Sequence, residues 1–256
     1  MTNYIYVLGT AGSGKSTLVK ALSNLIEDYK KLCITVNLDP GAEIIPYEPV
    51  VDIRDYITLK DVMEKYKLGP NGALVVAVDL TVNYIPEIKK IIEDENADYV
   101  LIDTPGQLEL FAYREVGIHV LNSFSSVPNR SLILFLVDPF LAKRINNFVS
   151  LLLLASSIQA RFFLPYLLIL SKVDLISQET LERILEWGED LSLLEEELNT
   201  LKDVSQREIA LNILPIISSL NIPSLIPVSA LTNFGILELY SEIQRVLTKE
   251  DEISLE

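Results

Sequence analysis

Residues 9–17 read Gly9-Thr10-Ala11-Gly12-Ser13-Gly14-Lys15-Ser16-Thr17, and this stretch decides the fold. An apolar run at 4–8 precedes it and reads as a strand. A run at 16–29 follows it, with Leu18, Leu22 and Ile26 on one helical face. In that setting GxxxxGK[ST] is a phosphate cradle: its backbone N–H groups turn inward as a nest for phosphate oxygens, and the helix N-terminus adds its dipole. Ala11, Gly12, Ser13, Gly14 and Thr17 are expected to line the cradle. Lys15 supplies a point charge for the β- and γ-phosphates, and the Ser16 hydroxyl can join a Mg²⁺ shell.

Outward from the cradle, short β-branched apolar runs alternate with amphipathic helical runs. Strands are expected at 32–38, 99–103, 131–138, 166–171 and 224–228. Helices are expected at 58–66, at 73–96 with a kink at Pro86, and at 236–247. Residues 39–55 read as irregular, with Pro40, Gly41, Pro46 and Pro49. The order predicts a single α/β domain over 1–256. It is a doubly wound P-loop NTPase with a mainly parallel sheet of about six strands, flanking helices and a small helical insertion. The insertion, 177–220, carries Glu182, Glu186, Glu189, Asp190, Glu195, Glu196 and Glu197. It reads as a helical pair with a solvated face, or alternatively as a docking surface for a partner. The residues 249–256 read as a frayed tail.

Composition bounds the function. The chain has 256 residues, 49% hydrophobic and 22% charged, enough to bury a full core. Its 21 basic and 36 acidic residues give a formal charge of −15, which argues against a broad electrostatic grip on nucleic acid or on an anionic membrane. One cysteine, Cys33, and one histidine, His119, exclude an intramolecular disulfide and a His/Cys zinc site. Cys33 reads as a core residue and His119, in an apolar context, as a buried or half-buried one. The N-terminal residues lack a basic leader region, and the apolar stretch 148–170 is broken by Gln159, Arg161 and Pro165. A cytoplasmic protein is expected.

Two further strand ends face the cradle. Residues 99–107 are an apolar strand ending in Asp103, then Thr104-Pro105-Gly106-Gln107. Asp103 is placed to hold Mg²⁺, directly or through water, and the Gly106 N–H to bond the γ-phosphate. Gln107 suits the orientation of an attacking water, and Glu109 lies two residues on. Asp39, in Asn37-Leu38-Asp39-Pro40-Gly41-Ala42, ends the second strand. It serves either a metal-bound water or the lytic water as base. Thr10 stands where one branch of P-loop proteins carries a lysine directed into a partner's site, so any extra cation comes from elsewhere or is absent. Arg114 and Arg144 are the basic residues best placed to supply it, although a surface or ion-pair role suits each better.

The base is read from Ser171-Lys172-Val173-Asp174, after the strand at 166–171. It resembles the [NT]KxD motif of GTPases. An Asp here accepts from guanine N1–H and N2–H₂, whereas adenine would leave a desolvated carboxylate unpaired. The Lys172 stem can lie over the base. Ser229-Ala230 follows the last strand, where the Ala N–H can reach guanine O6.

With these marks in place the chain resembles the GPN-loop GTPases. The resemblance is carried by Asp39-Pro40-Gly41-Ala42, by Gly69-Pro70-Asn71 in a loop at about 68–72, and by Asp103-Thr104-Pro105-Gly106-Gln107-Leu108-Glu109. It implies a homodimer in which the tripeptide of one subunit points into the other's site. There Asn71 would touch the γ-phosphate or the released phosphate. It also implies roles for Gln107, Glu109 and Asp39 around the lytic water. Eukaryotic relatives act in RNA polymerase assembly, which makes that machinery the implied source of a protein partner. The compact length suits an archaeal-type member.

The expected activity is Mg²⁺-dependent hydrolysis of GTP to GDP, slow for lack of a cationic finger, as in a switch. Two rivals remain. A module that holds nucleotide as a scaffold predicts tight retention with negligible hydrolysis. A P-loop kinase predicts an arginine-bearing acceptor lid.

Overall fold

A computed structural model describes residues 1–125, 129–220 and 222–253, with side chains described through residue 248. The chain runs β1 (Asn3–Gly9), α1 (Lys15–Asp28), β2 (Cys33–Asn37) and β3 (Val51–Asp52). Then come α2 (Leu59–Tyr66), α3 (Pro70–Leu80), α4 (Ile85–Glu95) and β4 (Tyr99–Asp103). They are followed by α5 (Leu108–Ala112), α6 (Glu115–Phe124), β5 (Arg130–Val137), α7 (Pro139–Ala142), α8 (Ile145–Phe162) and β6 (Tyr166–Leu170). The rest is α9 (Gln178–Glu189), α10 (Leu191–Asn199), α11 (Val204–Ser219), β7 (Leu225–Pro227) and α12 (Ile236–Ile253).

The strands form one seven-stranded sheet in the order β3-β2-β4-β1-β5-β6-β7. Every pairing between these strands is parallel. Successive side chains of β1 point to opposite faces. Tyr4, Tyr6 and Leu8 enter a core shared with α3, α4, α6 and α8. Ile5 and Val7 enter a second core with Leu18, Leu22 and Ile26 of α1 and Leu239 and Ile243 of α12. Both faces are thus covered, which is why these strands are continuous apolar runs. The order turns back at β1: β2 and β3 lie to one side and β5, β6 and β7 to the other. Loops at the carboxyl ends of the strands meet there, the place where open α/β sheets bind ligands.

Several expectations change. The irregular 39–55 stretch contains a seventh strand, β3, paired through Val36 and Val51. Two residues are too few to show a period-2 pattern. The helix expected at 73–96 is two helices joined by a tight turn, Thr81–Tyr84. Pro86 lies in the first turn of α4, where its missing N–H leaves nothing unsatisfied, so it starts a helix instead of kinking one. Gly69-Pro70-Asn71 likewise opens α3, with Gly69 as N-cap and Pro70 in the first turn, and is not a free loop. The acidic 177–220 segment is three helices, not a pair. Trp187, Leu194, Leu198 and Leu214 are buried among them.

Cys33 is buried as expected, but His119 is exposed on α6. The final helix continues to Ile253, past the expected stop at 247. Residues 254–256 of the expected tail lie outside the described residues. Among the described residues no helix is long and apolar enough to cross a membrane.

Candidate nucleotide site

The cradle joins β1 to α1. Gly14 is the N-cap of α1 at φ +95°, and Gly12 has φ +73°, both in the left-handed region that glycine enters without strain. Lys15 is buried, and its Nζ donates to the carbonyls of Gly9 and Thr10, each at 3.1 Å. Burial holds its pKa below the usual lysine range, against the pull of Asp103 and Asp39. Ser13 is fully buried, with an Oγ that has no hydrogen-bond partner among the described residues. Ser16 is half-buried, whereas Ala11, Gly12 and Thr17 are exposed.

Asp103 lies in register with Val7 on one side and Asn37 on the other, which sets it beside the cradle. Its residue is 2% exposed. Oδ2 accepts from the Tyr47 hydroxyl at 2.9 Å, and Oδ1 has no hydrogen-bond partner among the described residues. Burial pushes its pKa up to about 6, while the Ser16 and Tyr47 hydroxyls and the Lys15 charge pull it down. A buried carboxylate oxygen without a partner, beside a hydroxyl, is the oxygen donor set a hard divalent cation takes. No group of three or more His, Cys, Asp or Glu able to hold a metal occurs among the described residues. Mg²⁺ is commonly held by one or two carboxylates together with substrate phosphates.

Asp39 bridges two backbone amides. Oδ1 accepts from the Gly41 N–H at 2.8 Å, and Oδ2 from the Gly106 N–H at 2.9 Å. The carboxylate therefore occupies the amide expected to bind the γ-phosphate. One N–H cannot serve both anions, so a γ-phosphate oxygen there must displace Asp39. The Asp39 turn is braced by Asn37, whose Oδ1 accepts from Asp39 N at 3.0 Å and whose Nδ2 donates to Asp52 at 2.9 Å. Arg54 grips Asp52 and the Ala42 carbonyl. Gln107 is the half-buried N-cap of α5, and Glu109 is exposed in its first turn.

On the other side of the cradle lies a cavity of about 230 Å³. Ser13, Gly14 and Thr17 line it together with Ser171, Lys172, Asp174 and Ala230. Ser171 is buried and its Oγ donates to the Val137 carbonyl at 3.1 Å, bracing the loop. Lys172 reaches back to the cradle: its Nζ donates to the Gly12 carbonyl and to Asp138. Asp174 is exposed at the cavity. Ser229 is buried, its Oγ accepting from the Thr232 N–H at 3.2 Å.

None of the remaining expected residues lines that cavity. Gly69, Pro70 and Asn71 are exposed at the start of α3. Arg114 is engaged by Asp79 in a two-point ion pair, and Arg144 is exposed at the N-cap of α8. Tyr47, Asn37 and Asp138 were not foreseen as site residues. Only Asn37 left a signal in the sequence, as the polar residue two before Asp39. The exposed Leu175 and Leu231 also line the base cavity and carried no signal.

A protein-family model described as a conserved hypothetical ATP binding protein matches residues 7–249. A GPN-loop GTPase of Pyrococcus abyssi is 37% identical over 193 residues, covering 74% of this chain and 75% of that protein. GPN-loop GTPase 2 of Saccharomyces cerevisiae is 35% identical over 175 residues, 66% of this chain and 50% of that protein. The chain spans about half the length of this and several other eukaryotic relatives. The crystal structure of a GTPase in apo form from Pyrococcus abyssi superposes with a TM-score of 0.85 at 32% identity, covering 95% of this chain and 96% of that one. The shared fold and the identity over three quarters of the chain agree with the marks at residues 39–42, 69–71 and 103–109: the chain belongs to the GPN-loop GTPase family.

Proposed function

We propose that the chain binds GTP with Mg²⁺ and hydrolyses it to GDP and phosphate. The observation that carries this reading is the shared cavity. Cradle residues Ser13, Gly14 and Thr17 line it with Lys172 and Asp174, so phosphates in the cradle bring a base to Asp174. An aspartate matches the two N–H donors of guanine and meets none on adenine's equivalent edge.

Asp103, Ser16 and Asp39 would hold Mg²⁺, the two carboxylates directly or through water. The ion supplies charge neutralisation on the β- and γ-phosphates. Water attacks the γ-phosphorus in line. The new O–P bond forms as the bond to the β–γ bridging oxygen breaks, and GDP leaves with that electron pair. Lys15 and the cradle amides stabilise the charge on the phosphate oxygens. Gln107 orients the water, with Asp39 or Glu109 as acceptor for its proton. Entry of the γ-phosphate at Gly106 frees Asp39 Oδ2 from the N–H it holds, so the triphosphate itself releases that carboxylate.

The chain acts as a slow homodimeric switch. Arg114 is engaged by Asp79, which removes it as a ready cationic finger. Exposed Asn71, at the start of α3, is free to enter a second copy's site. The family resemblance points to RNA polymerase assembly machinery as the source of a protein partner. A charge of −15 disfavours direct contact with nucleic acid or an anionic membrane, and the cytoplasm is the expected location.

Calorimetric binding of GDP and ADP to nucleotide-stripped protein with Mg²⁺, followed by phosphate release from the matching triphosphate, tests the proposal. A GDP preference of about a hundredfold, or about 2.7 kcal/mol, with slow phosphate release supports it. Equal affinities or an ADP preference would transfer the reading to an ATPase or kinase. Tight binding without phosphate release would favour the scaffold.

A further inference from the structure

The loop between β2 and β3 sends a second side chain to the end of β4. Asp39 reaches Gly106, and Tyr47, eight residues later, donates its hydroxyl to Asp103 Oδ2 at 2.9 Å. We propose that Tyr47 is a positioning residue for the divalent-cation site: it holds one oxygen of Asp103 and leaves the other as the acceptor beside Ser16. This rests on the GTP–Mg²⁺ reading above.

Three observations carry it. First, the carboxylate needs positioning. The β4 backbone is fixed by pairing to Val7 and Asn37, but a terminal carboxylate torsion is broad and the strands do not hold it. Among the described residues, the Tyr47 hydroxyl is the hydrogen-bond donor to Oδ2, and Oδ1 has none. Second, Tyr47 is itself held. Its ring packs against the core formed by Val19, Leu22 and their neighbours. The flanking backbone is tied to β2, where Thr35 Oγ1 donates to the Glu48 carbonyl at 3.3 Å and the Val50 N–H to the Thr35 carbonyl at 2.9 Å. Third, the donor type fits. A phenol orients a carboxylate without cancelling its charge, whereas a lysine or arginine there would oppose the cation. Hydrogen bonds to metal-bound carboxylates orient the ligand, and losing one typically weakens metal binding about 10–100-fold.

The two loop contacts differ in their fate. A γ-phosphate at Gly106 takes the N–H that Asp39 holds, but it does not compete for the Tyr47 hydroxyl. Tyr47 is thus the fixed point about which the Asp39 end of the loop rearranges.

Tyr47→Phe removes the hydroxyl and keeps the ring. GDP binding to stripped protein is measured by calorimetry in EDTA and then across a Mg²⁺ titration, with the thermal midpoint of the metal-free protein recorded. The Mg²⁺ concentration at half-effect is expected to rise about tenfold or more, while GDP affinity in EDTA stays within about twofold of wild type. A merely structural role would lower the thermal midpoint and the EDTA affinity and leave the Mg²⁺ midpoint in place. That result, or an unchanged Mg²⁺ midpoint in a folded variant, overturns the assignment of Tyr47 alone. A wild-type protein whose GDP affinity ignores Mg²⁺ overturns the underlying reading with it.

Discussion

Asp174→Asn isolates the base-reading step. Asp174 is exposed at the cavity, and its carboxylate makes no hydrogen bond to the protein among the described residues. The substitution therefore disturbs no internal bond, and the stability change should stay within about 0.5 kcal/mol. Any larger effect belongs to the ligand. A carboxylate accepts from both guanine N1–H and N2–H₂, with each charged bond contributing about 1.5–3 kcal/mol. Asparagine keeps one acceptor and turns an amide donor toward a guanine donor. One bond is lost and the second weakened, so GDP affinity should fall by about 3 kcal/mol, somewhat over a hundredfold. Xanthine carries a carbonyl where guanine carries the amino group, and that oxygen accepts from the new amide. The assay is calorimetric titration of GDP and XDP into stripped wild-type and variant protein. GDP binding should collapse while XDP binding improves. If the variant keeps its guanine preference, Asp174 does not read the base, and the cavity beside the cradle has another occupant.

Asn71→Ala should reduce phosphate release while GDP affinity stays within about twofold, because the side chain is exposed on α3 and does not line the described cavity; unchanged turnover removes Asn71 from the mechanism. Arg114→Ala should destabilise by under about 1 kcal/mol despite its two-point geometry, because the Arg114 and Asp79 side chains are 40% and 41% exposed and solvent screens the pair. A double-mutant cycle with Asp79→Ala by urea denaturation measures it, and a coupling of several kcal/mol would refute the screening argument. Asp103 carries a pH signature in metal-free, nucleotide-free protein. Its folded pKa, pushed up to about 6 by burial, lies above the usual aspartate value of 3.8, so the folded state holds the proton more tightly. Stability is then fullest below the unfolded pKa and falls as pH rises toward about 6, by on the order of 1–3 kcal/mol for this group. Asp103→Asn should remove that loss and raise the metal-free thermal midpoint at neutral pH, with the advantage shrinking below pH about 4; a variant less stable than wild type across this range would refute the reading.

Much of the candidate site was legible in the sequence because its parts are local. Gly12, Gly14, Lys15 and Ser16 work through backbone turns and a helix start that neighbouring residues specify. Asp39, Asp103, Asp174 and Ser229 each follow a strand or its immediate turn, and parallel strands covered by crossovers bring such ends to one edge. Where the reading missed, local rules were ambiguous. A proline can kink a helix or begin one; Pro70 and Pro86 both begin one, since each falls where a helix has no N–H to satisfy. His119 lies among apolar neighbours in the sequence, yet it faces out because α6 turns Val116, Val120 and Phe124 inward.

The sequence by itself determined the Gly9–Thr17 turn, the parallel α/β order and the residue types proposed to read guanine, since each is written in contiguous residues and their spacing. The tertiary structure alone decided which groups meet across long separations: Tyr47 with Asp103, Asp39 with Gly106, Lys172 with Gly12, and Arg114 with Asp79. Those pairings depend on the register of β1, β2 and β4 and on how the irregular loops fold over their ends. A side chain within a loop has no periodicity to announce its partner. Its contacts follow from three-dimensional packing, and no stretch of residues encodes them locally.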